Sequence, residues 1–263
     1  MGLFSSLRDM FSGATTYNVL EGAPALTPGQ DRGLALGAMY AVEGHLPVNA
    51  LTMEADARTA ARLAKGSWDT VDAESARATY RYLLGGGHDV AYRILLPYLE
   101  AYLAVAPTRK RAVLKEPHER ALRELPELAL RHDLDPARLR NQFINGAYYY
   151  GNLVTYGSPD PLPRSIVAWD AARVAHVSRI FSDAGFVEPD EAWAAMEQAV
   201  DLARSAYHSW EEYESAFRTG RLFWQLGDKR FDQTKAADDV EKFERAGREL
   251  LTDDGSPWKR LAW

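Results

Sequence analysis

Aromatic side chains are concentrated between Ser165 and Trp224 of the 263-residue chain, and the carboxylate of Asp170 lies near the start of this stretch. Placed on a helix at about 100° per residue, residues 166–184 form a broad apolar stripe, and Asp170 lies at its middle. Moving a carboxylate out of water costs several kcal/mol unless it is paired or hydrogen-bonded. The pattern therefore predicts a partner for Asp170.

Arg173 is the nearest candidate, because side chains three residues apart on a helix lie on the same face. Its guanidinium group can donate two hydrogen bonds to one carboxylate. One interpretation is a structural ion pair, beside Trp169, that fixes how the helix packs. The other is a polar pocket in which Arg173 holds an anionic group and Asp170 acts as an acid or base. His176 and Tyr149 are the further candidates for that pocket.

Motifs for known chemistry are not found around these residues. The run Gly85-Gly86-Gly87 has no strand before it, so it predicts a helix end and not a phosphate loop. Neither His118 nor His132 has a second ligand at the spacing of a zinc site. We therefore expect no metal site and no cofactor, and a non-catalytic role is favoured over an enzyme.

Composition narrows the class of protein and of partner. The chain has a net charge of −6, 46% hydrophobic residues and no cysteine. Charges of both signs are interspersed, so nucleic acid is not an expected partner. No apolar run approaches the roughly 20 residues needed to cross a bilayer, and the N-terminus lacks the pattern of a secretory signal. These features predict a cytoplasmic protein.

Hydrophobic spacing and turn residues predict an all-α fold, either one multi-helix globular domain or two packed helical subdomains. One helix is expected from Thr27-Pro28 to Val42 and another from Glu54 to Ala64. Asp72 should cap a helix over residues 73–84. Further helices are expected over residues 88–105, over residues 116–130 with a break at Pro126, and from Asp135-Pro136 onward.

Three regions are predicted along the chain. Residues 1–26 form an amphipathic arm and a linker, and only residues 1–11 offer a means of membrane contact, although an arm packed on its own domain is favoured. Residues 27–157 form an N-terminal helical part. Residues 158–263 form a C-terminal helical part that carries the Ala-Trp-Asp-x-x-Arg motif, and the proline-rich connector at 156–163 separates the two.

Three consecutive tyrosines, Tyr148 to Tyr150, stand near the end of a predicted helix. Adjacent side chains on a helix cover most of its circumference. At least one of the three should therefore be exposed or line a cleft with its hydroxyl group in water. Neighbouring lysine and arginine residues, which a base-stacking surface for nucleic acid needs, are missing.

Several motifs occur in a characteristic order, beginning with Ser67-Trp68-Asp69 and the Ala168 to Arg173 segment. They continue with Ala184-Gly185-Phe186, Glu191-Ala192-Trp193, Ser209-Trp210-Glu211, Gly220 to Trp224 and Ser256-Pro257-Trp258. From these motifs the chain resembles the DUF1266 family of bacterial proteins over roughly residues 66–263. The resemblance implies no particular reaction, and the recurrent Trp-Asp and Arg positions agree with an ion pair or a pocket.

The predicted helical fold and the predicted Asp170–Arg173 pair are compatible with two functions from different classes. The first is a protein-interaction module, such as an adaptor or a component of a secretion or conflict system, with an unknown protein partner. The second is a small-ligand-binding protein or an enzyme with a polar pocket around Asp170 and Arg173. A dry ion pair favours the first, whereas a cavity of roughly 300 Å³ or more beside Asp170 favours the second.

Overall fold

A computed structural model describes residues 17–157 and 161–263, and they form an all-α fold without a strand among them. This confirms the predicted fold class. The predicted N-terminal arm at residues 1–11 lies outside the described residues. The helices are α1 Pro28–Leu36, α2 Ala38–Gly44, α3 Ala57–Trp68, α4 Ala73–Leu84, α5 Asp89–Val105, α6 Arg111–Arg131, α7 Pro136–Tyr156, α8 Val167–Asp183, α9 Pro189–Ala206, α10 Trp210–Leu226, α11 Gln233–Thr252 and α12 Pro257–Arg260.

Side-chain caps begin several of these helices at the predicted residues. Thr27 and Gln30 form a reciprocal capping box at α1, and Pro28 occupies the first turn. Asp72 accepts a hydrogen bond from the backbone N–H of Ser75 at α4. Asp135 does the same for the first turn of α7. These polar residues satisfy N–H groups that have no partner within the helix.

The segment predicted as one helix from residue 28 to residue 42 is two helices, with Gly37 between α1 and α2. A Cβ atom at Gly37 would lie 2.9 Å from the Cβ of Ala175, so α8 approaches the backbone here more closely than a side chain permits. The helix predicted over residues 54–64 instead begins after Asp56, which caps the N–H of Thr59 at 3.0 Å. The break at Gly37 depends on a tertiary contact and the helix start at Asp56 on a local cap. Neither can be predicted from the spacing of hydrophobic residues.

Helix α6 continues through Pro126, so the predicted break there is wrong. A proline removes one backbone hydrogen bond and crowds the preceding turn, which usually ends or kinks a helix. Here α6 packs on both α5 and α7. Ala121, Leu125 and Ala129 on its inner face are completely buried. The burial of this face on both sides of the proline compensates for the lost hydrogen bond.

The described residues divide into two compact units, and each unit combines separate stretches of the chain. Unit 1 contains the chain up to Gly85, then Ala168–Glu214 and Lys242–Trp263. Unit 2 contains Gly86–Val167 and Ser215–Glu241. Both units therefore include residues from either side of the proline-rich connector. The predicted division at residues 157 and 158 remains a prediction.

Helix α8 supplies much of the buried surface of unit 1. The sequence predicts a single apolar stripe, but the helix is buried around almost its whole circumference from Val167 to Phe181. Its small residues explain the difference, because Ala168, Ala171 and Ala175 allow neighbouring segments to approach faces that a stripe leaves to solvent. Elsewhere in unit 1, α9 packs on α1 and α4.

The hydroxyl group of Tyr80 on α4 lies 3.0 Å from the hydroxyl group of Ser178 on α8. Burial raises the pKa of Tyr80 from 10.0 to about 12. Because the folded pKa is above the unfolded one, this tyrosine contributes stability below pH 10 that is lost as the pH rises towards 12.

We expect the wild-type protein to lose about 2–3 kcal/mol more unfolding free energy between pH 9 and pH 12 than the Tyr80→Phe variant. Urea unfolding of both proteins across this range measures the difference. The comparison isolates Tyr80 from the other groups that titrate in the same window. Parallel pH profiles for the two proteins would contradict the assignment.

Unit 2 is built on the three helices α5, α6 and α7, which pack against one another pairwise. Its larger core includes Leu95, Leu99, Leu125, Phe143 and Phe223. A second, smaller core joins Tyr149 of α7 to Leu222 and Leu226 of α10 and to Ala236 of α11. The second core fixes the ends of α7, α10 and α11 around the cavity described below.

Candidate functional site

Asp170 and Arg173 form a buried ion pair on α8, between Oδ1 of Asp170 and Nη2 of Arg173. The side chain of Asp170 has no solvent exposure, and that of Arg173 is 7% exposed. Their spacing of three residues places both groups on the same helical face, as the sequence predicts. The pair is therefore removed from water. In the protein interior, a charged group is stable only with a close countercharge.

Aromatic rings surround this pair in unit 1. The guanidinium carbon of Arg173 lies 3.6 Å from the ring centre of Trp169 and 5.7 Å from that of Trp68. Trp169 donates a hydrogen bond from Nε1 to the hydroxyl oxygen of Tyr40 at 2.9 Å. The ring of Tyr40 stacks on His176 with centres 4.8 Å apart. Trp169, Arg173 and His176 thus belong to one contiguous polar and aromatic cluster.

The arrangement favours a structural role for the Asp170–Arg173 pair. Stacking of a guanidinium group on indole rings stabilises the cation without water. Neither Asp170 nor Arg173 lines either of the cavities described next. Their participation in a binding pocket stays a prediction.

Tyr149, the remaining candidate, lies in unit 2 and lines a different site. Tyr148 is 61% exposed, whereas Tyr149 and Tyr150 line a cavity of about 320 Å³. This distribution agrees with three adjacent tyrosines pointing in different directions around a helix. We call the site the tyrosine cavity; its lining residues are Tyr149, Tyr150, Leu153, Gly157, Pro161, Leu162, Ser215, Arg218, Thr219, Leu222 and Val240.

One face of α10 forms the polar wall of the tyrosine cavity. Arg218 and Thr219 are three and four residues after Ser215 and four and three residues before Leu222, so the four side chains share a face. Leu222 is buried and anchors this face, while Arg218 is half-buried one turn earlier. In the tyrosine cavity, the guanidinium group of Arg218 therefore lies next to the apolar surface that includes Leu222.

The two cavity tyrosines are neutral hydrogen-bond donors near neutral pH. Burial is the main cause that raises the pKa of Tyr149 and of Tyr150, and the nearby charge of Arg218 opposes the rise. Tyr149 is buried, and within the described part of the chain neither hydroxyl group makes a hydrogen bond. Both hydroxyl groups can therefore donate a hydrogen bond to an acceptor group of a molecule in the cavity.

A second cavity, of about 420 Å³, adjoins the tyrosine cavity. The two share Tyr150, Pro161 and Leu162. The adjoining cavity is otherwise lined by Leu103 and Val154 and by the charged pair Glu100 and Arg164, whose side chains approach to 3.9 Å. Together the two cavities form a mainly apolar surface with charged groups in both halves.

Sequence reasoning missed Arg218, which contributes the positive charge of the tyrosine cavity. A signal was present, because Arg218 and Leu222 are four residues apart, about one helical turn, and an arginine on the apolar side of a helix is unusual. Its proximity to Tyr149 was not predictable, because the two residues are far apart in sequence. The contact between Trp68 and Arg173 was also missed, because the sequence shows Trp68 only as part of a repeated Trp-Asp pattern.

The fold and these sites define an all-α protein with a buried ion-pair cluster in one unit and an open apolar surface in the other. The chain belongs to the family described as "Protein of unknown function (DUF1266)", whose model matches residues 65–263. No curated protein and no solved structure matches the chain. The matched region includes the Asp170–Arg173 cluster, the tyrosine cavity and the adjoining cavity.

None of the helices in residues 17–157 and 161–263 combines the length and the apolar character needed to cross a membrane. The same residues contain no group of three or more histidine, cysteine, aspartate or glutamate side chains placed to hold a metal ion.

Proposed function

We propose that the chain is a protein-interaction module whose tyrosine cavity and adjoining cavity bind a short, apolar, carboxylate-bearing segment of a partner protein. The observation that carries this proposal is that Arg218, Tyr149 and Tyr150 line one mainly apolar cavity, in which the charge of Arg218 acts on both tyrosines. An adaptor, or a component of a secretion or conflict system, would use such a surface. The cysteine-free composition favours a reducing compartment such as the cytoplasm.

The side chains that line the tyrosine cavity suit an anionic group. Arg218 provides a guanidinium group, and the two tyrosines provide neutral O–H donors. Among the residues that the structure describes, those lining this cavity include no aspartate or glutamate. Arginine matches the geometry of a carboxylate through two parallel hydrogen bonds. An acidic side chain or a chain-terminal carboxylate therefore complements the site.

The extent of the surface favours a peptide segment over a compact molecule. The tyrosine cavity continues past Leu162 into the adjoining cavity, where Leu103 and Val154 offer further apolar surface. An extended peptide places alternate side chains on one face at a spacing of about 7 Å, so two of them can enter successive cavities. The adjoining cavity also has a cation and an anion at its edge, Arg164 and Glu100, which lie 3.9 Å apart and can bind polar groups of the peptide.

A small anionic molecule is the second candidate for the same site. The volume of the tyrosine cavity, about 320 Å³, falls within the range typical of small-molecule sites. Such a ligand would place its anionic group at Arg218 and its apolar body against Leu153, Leu162 and Val240. It would leave the adjoining cavity empty.

Selection of a random seven-residue peptide library on the immobilised protein tests the proposal. We expect the enriched peptides to combine an acidic residue with apolar neighbours. Arg218→Ala should weaken their binding about tenfold or more, since a hydrogen bond to a charged group contributes about 1.5–3 kcal/mol. The matched control is Arg123→Ala, which removes an exposed guanidinium group that lines neither cavity. Enriched peptides that bind Arg218→Ala as tightly as wild type would overturn the proposal.

A competition binding experiment distinguishes the peptide-binding function from the small-ligand function. A panel of aliphatic and aromatic monocarboxylates is added to the complex of the protein with an enriched peptide. We expect weak displacement, because these molecules occupy one cavity only. A monocarboxylate that binds as tightly as the best peptide, and loses affinity in the Arg218→Ala variant, would favour the small-ligand function instead.

A further inference from the structure

A second site in unit 2 lies at the turn between α10 and α11 and is lined by a different set of residues from the tyrosine cavity. It is an open cavity of about 710 Å³. Its lining includes the four cationic residues Arg138, Lys229, Arg230 and Lys235, together with Trp224. We call this site the basic turn. A local concentration of cations is notable in a chain whose net charge is −6.

Polar side chains of α7 hold the basic turn in place. Arg138 donates from Nη2 to the carbonyl oxygen of Trp224 at 2.8 Å. Asn145 donates from Nδ2 to the carbonyl oxygens of Leu226 at 2.8 Å and Asp228 at 3.2 Å. These contacts fix the backbone of the turn against a helix. The backbone of the site is therefore held in place before a ligand arrives, which lowers the entropy cost of binding.

The two acidic residues of the basic turn are engaged with its own backbone. Oδ1 of Asp228 accepts a hydrogen bond from the N–H of Arg230 at 2.8 Å. Oδ1 of Asp232 accepts from the N–H groups of Thr234 and Lys235, at 3.0 and 3.2 Å. The carboxylates thus stabilise the turn and the start of α11. Lys229, Arg230 and Lys235 are exposed, and with Arg138 they give the cavity more positive than negative residues.

Trp224 adds a flat aromatic surface to this positive site. It is 42% exposed, although large aromatic side chains are usually buried. Arg221, whose guanidinium carbon lies 5.7 Å from the Trp224 ring centre, is held by Asp239 through two contacts of 2.7 and 3.1 Å. The surroundings of the indole ring are therefore fixed. An exposed indole beside cations suits a ligand with both a planar ring and negative charge.

We propose that the basic turn binds a nucleotide, with its base stacked on Trp224 and its phosphate groups bound by Lys229, Arg230 and Lys235. Stacking accepts any base, and lysine and arginine are the usual partners of phosphate. The cavity volume of about 710 Å³ lies in the range of small-molecule sites. A mononucleotide fits better than a nucleic acid strand, because the net charge of −6 repels a long polyanion.

Calorimetric titration of the full chain with ADP, adenosine and pyrophosphate tests this proposal. We expect ADP to bind more tightly than either of its parts. Trp224→Ala should weaken ADP binding about tenfold while leaving pyrophosphate binding unchanged, and Trp224→Phe should retain most of the affinity. The triple variant Lys229→Ala/Arg230→Ala/Lys235→Ala should abolish binding of ADP and of pyrophosphate.

The matched control for the triple variant is Lys65→Ala/Lys115→Ala/Arg131→Ala. It removes three exposed cations that do not line the basic turn, so it changes net charge by the same amount. Pyrophosphate binding as tight as that of ADP would overturn the role of Trp224. A single-stranded oligonucleotide that binds far more tightly than ADP would show a nucleic-acid surface instead, and no binding of ADP would overturn the proposal. Because none of these substitutions touches Arg218, the result is independent of the peptide proposal.

Discussion

Replacing Asp170 with alanine is expected to lower the free energy of unfolding by about 3–5 kcal/mol, because it removes the carboxylate opposite a buried guanidinium group. Arg173 would keep its contacts with the rings of Trp169 and Trp68 but would lose its countercharge. A marginally stable domain has roughly 5–15 kcal/mol in total, so the loss is a large fraction of it. Thermal and urea unfolding of the variant measure the effect.

Two controls make the Asp170 result specific. Glu127→Ala removes the acid of an exposed Arg131–Glu127 pair within α6, and we expect little change in stability because water screens that pair. The double variant Asp170→Leu/Arg173→Met should be less damaging than Asp170→Ala alone, because it removes both charges of the pair together. A melting temperature unchanged by Asp170→Ala would contradict the structural role of the pair.

Trp258→Ala is the other substitution with a large expected effect on stability. Trp258 is almost fully buried and stacks on Trp210 with ring centres 4.9 Å apart and planes 9° from parallel. Its Nε1 donates to the carbonyl oxygen of Ala35 at 2.8 Å. Loss of a buried aromatic side chain costs about 3–5 kcal/mol through lost burial and the cavity left behind. Denaturant unfolding should therefore shift to much lower urea concentration.

Trp224→Ala is the natural control for Trp258→Ala, since it removes the same side chain from an exposed position. We expect a change within about 0.5 kcal/mol, as for most surface substitutions. Similar losses in the two variants would show that burial and the contact with Trp210 do not account for the effect. The same pair of proteins also checks that the Trp224→Ala variant used for nucleotide binding is folded.

The Asp170–Arg173 pair was predictable from the sequence because helical geometry alone brings residues three apart together. The all-α class and the starts of α1, α4 and α7 were predictable for a similar reason, since caps and prolines act on their own helix. The burial of α8 on all faces was not predictable from its apolar stripe. It depends on which segments approach Ala168, Ala171 and Ala175, and that is a property of the tertiary fold.

The lining of the tyrosine cavity could be predicted only in part from the sequence. Helical geometry predicts only that at least one of three adjacent tyrosines is exposed or lines a cleft. The cavity shared by Tyr149 and Arg218 depends on how α10 packs beside α7, which comes much earlier in the chain. The tertiary fold also places Tyr149 in a different unit from Asp170. Pairings between distant segments leave no signal in the spacing of residues along one helix. The predicted pocket of Tyr149 with Asp170 and Arg173 is therefore replaced, in our proposal, by one of Tyr149 with Tyr150 and Arg218.

The affinity of an enriched peptide for the wild-type protein and for the Arg218→Ala variant, measured by isothermal titration calorimetry, tests the proposed interaction function most directly. Our account predicts that the variant remains folded and binds the peptide about tenfold or more weakly, with Arg123→Ala unchanged. Equal affinity of the wild-type and Arg218→Ala proteins for the peptide would contradict it.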